Sequence, residues 1–544
     1  MYNSKQVPLM FQAQVKGRCQ LQYVTTKDAD RWVDEWIDKA YPNAPNFGDE
    51  VQTRVSTLSW RFVTNGGQDD EVIRPVIGAK GWPFYPGSSM KGVFRRACTP
   101  KQADRYCGKS LSSGDFEPGI LRFHGGYPTN EKWQENLLDI IHPQQNKQVK
   151  NNQNSSAFVQ VSLYKPEIKF GISSTISLEQ TEWETIWKIW DKALSTGIGC
   201  RVSAGYGQPK IHGKNVLYSF ELKGQGQTAK RLDNQGEFRP NIFKAAIRGH
   251  ALRIFGGLTS EQNADDLVQI LFGGIEGEAK VGLLGMAFDY SNQVLDNALT
   301  YNVEGNLKWL LQLSDKQRKQ MSEEQRNTLK QLAKQLTQFA MLFGGFGKSW
   351  RRADHCLFLP DYKKYSIGCH WEWAGKRSPV WDNSVRKLED VAPFINAVRE
   401  TASLWMLQQG ITPTPQQTAA WREAWHENNV QVWGRVAKDK EDSIAIRWLH
   451  EPYNYNYQGK REIPLKIKGT SVTGKLNQIG RLWHRMYPQV LRKPDPQDPK
   501  KALPKPTNRY LELLTLFPDG SIESNQFLEF LESQQKMFEK LWTK

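Results

Sequence analysis

A chain of 544 residues is too long for one ordinary core, which sets an expectation of two to four domains. Its 39% apolar content, mean hydropathy of −0.63 and lack of any apolar run of about 18 residues exclude a helical membrane span and fit a globular protein. The excess of 73 Lys and Arg over 57 Asp and Glu, formally +16, points to polyanionic partners, either nucleic acid or an anionic surface. The start, "MYNSKQVPLMFQ", has no basic region leading into an apolar stretch, so no signal peptide is expected. Cys19, Cys98, Cys107, Cys200, Cys356 and Cys369 are scattered, not spaced as a disulfide framework, and the cytoplasm is the expected location. Aromatic residues beside cations, as in "GKSWRRADH" and "HWEWAGKR", suit unpaired bases stacked on rings with the backbone held by Arg and Lys.

In chain order, "TLSWRFVTN" alternates as a strand. "WPFYPGSSMKGVFRRAC" follows, in which Pro86 and Gly87 suit a turn and Ser88 and Ser89 suit helix N-caps. Lys91 and Arg95 share one helical face with Arg96 beside them, so a helix starting here suits an anion such as phosphate. "GILRFHGG" and "AFVQVSLYKPEIKFGIS" read as extended. "TEWETIWKIWDKAL" places Trp183, Ile186, Trp187, Trp190 and Leu194 on one stripe, which makes these tryptophans core. "TGIGCRVSAGYG" then brings glycines beside Arg201, a combination able to form an anion-binding concavity.

The same order returns downstream. A strand "VLYSFELKG" leads to the helix "RPNIFKAAIRGHALRIFGG" carrying Lys244 and Arg248, then to "GLLGMAFDY", the helix "EEQRNTLKQLAKQLTQFAM" and "LFGGFGKSWRRADH" with Lys348, Arg351 and Arg352. Lys91 to Lys244 is a shift of 153 and Gly197 to Gly345 a shift of 148, the size of one domain, so two tandem copies are expected. "GFGKS" is not a P-loop, because the glycine required five residues before Gly347 is Leu342. Strands interleaved with two helices point to an α+β sandwich of the ferredoxin-like kind. The expected division is 1–213 and 214–488 for the two copies, 489–508 for a Pro/Lys-rich linker and 509–544 for a helical tail. "VQVWGRVA", "SIAIRWLH" and "PLKIKGT" are expected as strands completing the second copy, and "GKLNQIGRLWHRMYP" as a basic amphipathic helix.

"PFYPGSSMKGVFR" and the glycine loop "GIGCRVSAGYG" resemble the RAMP superfamily, the backbone subunits of type III CRISPR effector complexes. The first copy looks most like subunit six of the Cmr complex, with "GGQDDEVIRPV" similar to the Csm backbone subunit. "RPNIFKAAIRGH" lacks Pro-Gly-Ser-Ser but is similar to the matching helix of Cmr subunit one. The resemblance covers roughly residues 50 to 360 and implies two tandem ferredoxin-like (RRM-like) domains with insertions. It also implies CRISPR RNA held by its backbone, pairing with a target single-stranded RNA, and partnership with other RAMP-type subunits and the large subunit of the complex. The implied RNA contacts are Ser88, Ser89, Lys91, Arg95, Arg96, Arg201, Lys244, Arg248, Lys348, Arg351 and Arg352.

Cleaving members of that family use an aspartate in the loop before the "PGSS" element for a cut that depends on Mg2+ or another divalent cation. Matching "VIR" places Asp69 there, with Asp70 beside it. A carboxylate at that point positions a hydrated metal or helps deprotonate the ribose 2′-OH. In the second copy Asp233 is the aspartate of the corresponding loop and Glu237 its rival. Two other readings accompany this one: a non-catalytic architectural subunit of the same complex, and a guide-processing ribonuclease using His124 or His142. Outside the family stands a generic basic RNA-binding protein. His355, Cys356, Cys369 and His370 have zinc-ligand chemistry but not a common zinc spacing, so no metal site is assigned.

Overall fold

The computed structural model describes residues 29–64, 66–69, 72–112, 114–141, 146–150, 158–210, 215–230, 236–274, 281–296, 300–313, 317, 320–347, 350–351, 355–359, 361, 368–374, 385–457, 459–475, 478–494 and 502–542. It is a mixed α/β structure of small, mainly antiparallel sheets, and among the described residues no helix is long and apolar enough to cross a membrane.

In the first part, β1 (Gln52–Thr57), helix α1 (Gly87–Ala97), β2 (Leu121–Pro128), β3 (Glu167–Ser174) and helix α2 (Gln180–Leu194) follow in chain order. The sheet runs β1-β3-β2, all antiparallel, and just past β1 an antiparallel bridge joins Leu58 to Pro209. Met90, Val93 and Phe94 repeat at helical spacing and turn one face of α1 inward, while α2 buries Ile186, Trp187, Trp190 and Leu194. Phe170 of β3 meets Trp190 edge-on with ring centroids 4.8 Å apart, which is the expected core use of the tryptophan stripe. A four-stranded sheet beside this core orders Gln68–Asp69, Val72–Ile73, Phe158–Val161 and Leu138–Ile141.

The second part has a four-stranded sheet and two long helices. It comprises β4 (Val216–Gln227), α3 (Asn241–Gly256), β5 (Leu284–Asp296), β6 (Thr300–Leu311), α4 (Glu323–Phe343) and β7 (Cys369–Trp373). The sheet order is β5-β6-β4-β7, so the first strand of the set lies between the third and the fourth. Helix α4 starts on a capping box, with Ser322 Oγ accepting from the Gln325 amide and the Gln325 side chain accepting from the Ser322 amide. Helix α5 (Val391–Gln408) packs along α4, and its Phe394, Ile395, Trp405 and Met406 join the same core.

A further four-stranded sheet, belonging to a third part of the chain, was not expected. Strand β8 (Gln431–Ala437), the short helix α6 (Ala445–His450), β9 (Leu482–Pro494), β10 (Ala502–Leu516), helix α7 (Ile522–Ser533) and β11 (Glu539–Trp542) form a sheet ordered β9-β10-β8-β11. That is again second-third-first-fourth. Period-two alternation gives each face its own core: Leu511 and Leu513 join the core of the second part, whereas Leu514 and Leu516 pack with Phe527, Phe530 and Leu531 of α7.

Several expectations therefore change. Much of the 489–508 stretch expected as a linker lies in the paired arms of the β9–β10 hairpin, and the 509–544 tail is, among described residues, strand, helix and strand. Prolines mark this stretch as a linker by composition, yet at the far end of a hairpin they are tolerated where a ladder hydrogen bond is not needed. "GKLNQIGRLWHRMYP" contributes to strand β9 and not to a helix, because alternating burial on two cores outweighs its helical spacing. "SIAIRWLH" carries α6 instead of a strand, and "VQVWGRVA" opens the third part's sheet instead of completing that of the second.

Candidate nucleic-acid interface

Helix α1 begins at Gly87 with Pro86 as its N-cap and no side-chain cap. Ser88 and Ser89 lie inside the first turn and are exposed, so they are not the caps that the sequence suggested. Gly87 has a different reason to be glycine: a Cβ there would sit 2.0 Å from the Phe123 carbonyl oxygen of β2. The helix start is thus pressed against the sheet, with the first-turn amides uncapped by side chains. Lys91 lies over the Phe116 ring at 5.8 Å, and Arg95 Nη1 donates to the Gly108 carbonyl at 2.6 Å. Arg96 is exposed.

The first glycine loop is built by its own backbone. Gly199 and Gly207 have φ of +79° and +59°, and a Cβ would lie 2.4 Å from the Val63 carbonyl oxygen and 1.9 Å from that of Ile198, respectively. Their smallness serves close approach within the protein, where the sequence suggested approach to a ligand. Arg201 takes a left-handed φ of 56° at the mouth of the turn Val202–Ala204, and it is exposed. Tyr206, deep in the loop, donates to Asp139 Oδ2 at 2.7 Å and packs on Trp60 with centroids 4.5 Å apart. Burial works to raise the Asp139 carboxyl, but Arg239 and Arg61 outweigh it and hold the group below its ordinary value. Arg61 in turn donates from Nε and Nη2 to the two Glu237 oxygens, both at 2.8 Å. Glu237 is therefore a buried partner of arginine and not a rival to Asp233 for chemistry.

Onto this fixed loop comes the second part's basic helix. Lys244, 6% exposed on α3, donates from Nζ to Ser203 Oγ at 2.6 Å, linking α3 to the loop of the preceding part. Burial lowers its ammonium, and the like charges of Arg248 and Arg201 lower it further, to about 7. Lys244, Arg248 and Arg201 thus meet at the seam between the first two parts, which the sequence placed in separate copies. Ser203 is the residue the sequence reading passed over: a lone serine in a glycine loop gives no signal until the neighbouring part is in place.

Other expected residues fall elsewhere. Arg351 bonds Glu423 through both Nη1 and Nη2, and Nη2 also reaches Gln148 Oε1 at 3.1 Å. Arg253 and Arg422 bind the same carboxylate, so Arg351 belongs to a buried ion cluster and is not positioned as an RNA contact. Asp69 lies in the strand Gln68–Asp69, its backbone paired with Val72. Asp70, Asp233, Lys348, Arg352 and His142 lie outside the described residues. His124 Nε2 is 2.8 Å from Ser173 Oγ, an ordinary hydrogen bond on the sheet. Cys369 and His370 are neighbours on β7, and His370 Nε2 pairs with Glu372 at 2.8 Å. Among the described residues no three His, Cys, Asp or Glu gather as metal ligands.

No family model and no curated protein matches the chain. Among solved structures, a chain in the cryo-EM structure of the type III-B Cmr-beta bound to cognate target RNA is similar at 18% identity over 28% of this chain and 55% of that one, with a TM-score of 0.23. A chain of a type IV-B CRISPR complex is similar at 16% identity over 29% of this chain and 87% of that one, with a TM-score of 0.22. This chain spans about half the length of the Cmr-beta chain it matches, and at these TM-scores neither likeness carries an inference about what it binds.

Proposed function

We propose that the chain is an RNA-holding subunit of a CRISPR effector ribonucleoprotein, made of ferredoxin-like repeats that grip a guide RNA by its sugar–phosphate backbone. The observation that carries this reading is the seam at which Arg201 meets Lys244 and Arg248. A cationic site assembled from two successive repeats, one side chain of it buried, fits a chain of phosphates running from repeat to repeat. Phosphate contacts of this kind position an RNA without reading its bases. The PGSSMKG helix start, with its uncapped first-turn amides, supplies a further anion site in the first repeat. Other RAMP-type subunits, the large subunit of such a complex and a complementary target RNA would be the partners.

Cleavage of the target is the second part of the proposal, with Asp69 as the catalytic carboxylate and Asp70 and Asp233 as further candidates. Mg2+ is commonly held by one or two carboxylates together with substrate phosphates, so Asp69 would hold a hydrated divalent ion once RNA is in place. The ion would supply charge neutralisation at the reacting phosphate.

The test is purification from the host with sequencing of the bound RNA. CRISPR-derived guides are expected, whereas random cellular RNA or none would overturn the reading. The same preparation then takes labelled complementary RNA with Mg2+, wild type beside Asp69→Ala. Fewer cuts with guide retention intact is the expected result, and an unchanged pattern would make the chain a scaffold.

A further inference from the structure

The seam holds an arrangement that an ordinary phosphate contact does not need. Lysines that meet phosphate from a protein surface are charged at all physiological pH values and simply exchange counterions for RNA. Lys244 is buried instead, and its Nζ reaches a hydroxyl, Ser203 Oγ at 2.6 Å. From the first repeat's turn it faces Arg201, and from its own helix Arg248; among the described residues these are the charges that act on it. An ammonium in that position is opposed by desolvation and by two like charges, and an arriving phosphate would remove both objections.

We propose that binding of an RNA phosphodiester at this seam is coupled to the uptake of one proton by Lys244. The proton passes from solvent to the Nζ lone pair, and the ammonium so formed is neutralised by the phosphate held beside Arg201 and Arg248. The loop that presents Ser203 is tied to the first part by Tyr206, which donates to Asp139, and at Gly199 and Gly207 its backbone packs against the carbonyls of Val63 and Ile198. The coupling rests on the RNA-binding reading given above and adds to it that acidity controls the grip.

The experiment follows a fluorescein-labelled single-stranded RNA by anisotropy on the full chain, from about pH 6.5 to about pH 8.5 at constant ionic strength, where one linked proton changes affinity by up to about tenfold per pH unit. Affinity is expected to fall as pH rises above the Lys244 value of about 7. Lys244→Arg, permanently charged, is expected to bind with that slope removed. Calorimetry of the wild type in two buffers of different ionisation enthalpy counts the proton directly and needs no variant to fold; uptake approaching one proton at alkaline pH is expected. RNA binding with no proton uptake, or equal pH slopes for wild type and Lys244→Arg, would overturn the coupling and leave the RNA-binding reading standing. No RNA binding at any pH would overturn both.

Discussion

Lys244 and Glu423 are buried ionisable groups with opposite company. Lys244 faces cations and a hydroxyl, which suits a group that must gain something from outside. Glu423 is held by Arg253, Arg351 and Arg422, and although burial works against its charge, these arginines bring the carboxyl down to about 2. Replacing it, as in Glu423→Gln, removes the shared carboxylate from three guanidinium groups, two of them, Arg253 and Arg351, over Trp350 and Trp483, with an expected loss of about 3–5 kcal/mol in urea unfolding. The pH dependence follows from the same shift. Glu423 and Glu512 both have folded values near 2, Glu512 through hydrogen bonds from His484, Ser443 and Arg435 that outweigh its burial. Their contribution is complete above the unfolded carboxyl value of about 4.3 and is lost as pH falls through that value toward about 2. Unfolding free energy should therefore drop steeply below about pH 4.5, and Glu423→Gln should show a shallower acid slope than wild type. None of this was legible in the sequence. Arg351 beside glycines reads as a nucleic-acid contact, and its partner Glu423 is 72 residues away, so only the folded chain shows the charge as already matched.

Helices and strands of the first two parts were legible because their burial follows one clean period. Trp183, Trp187 and Trp190 mark an inward face at helical spacing, and the basic helices α1 and α3 lie where Lys91/Arg95 and Lys244/Arg248 place them. The third part's sheet was hidden for the opposite reason. Its strands carry buried polar residues such as His484, Arg485 and Glu512, and its hairpin is rich in proline and lysine, so composition argued for linker. The glycine elements were found, but with the wrong cause attached. Gly87 and Gly207 are glycines because a carbonyl of the protein occupies the place of a Cβ. Gly87→Ala should push α1 off β2 and cost about 1–3 kcal/mol in chemical denaturation, as overpacking does. Gly207→Ala combines a clash with a positive φ, and should weaken RNA binding as well as stability, because the loop carries both Arg201 and Ser203. RNA affinity unchanged in a folded Gly207→Ala protein would separate the loop from the binding surface.

At the scale of the whole chain the three parts are not three equal beads. The first has its own core, drawn from residues between Ala29 and Ile198. The second and third share one: Val432, Trp483, Leu511, Leu513 and Trp542 are continuous with Phe243, Phe339, Trp371 and Trp405. Polar links reinforce that union, since Arg485 donates to the Met341 and Trp371 carbonyls and Trp373 Nε1 to the Tyr487 hydroxyl at 3.0 Å. Across the first seam the ties are polar, among them the buried pairs Arg61 with Glu237 and Arg239 with Asp139 and the bond from Lys244 to Ser203, and charged groups freed from such pairs by truncation regain water. A chain ended after residue 213 should accordingly fold as a cooperative unit. A chain ended after residue 374 should not, because it keeps α4 and Arg253 while losing α5, Glu423 and the sheet that covers them. Soluble yield and a single thermal transition for the shorter chain, against aggregation of the longer one, is the expected pair of results. The reverse outcome would mean that the third part is an appendage, and that the shared core contributes little to holding Lys244 and Arg248 in place at the seam.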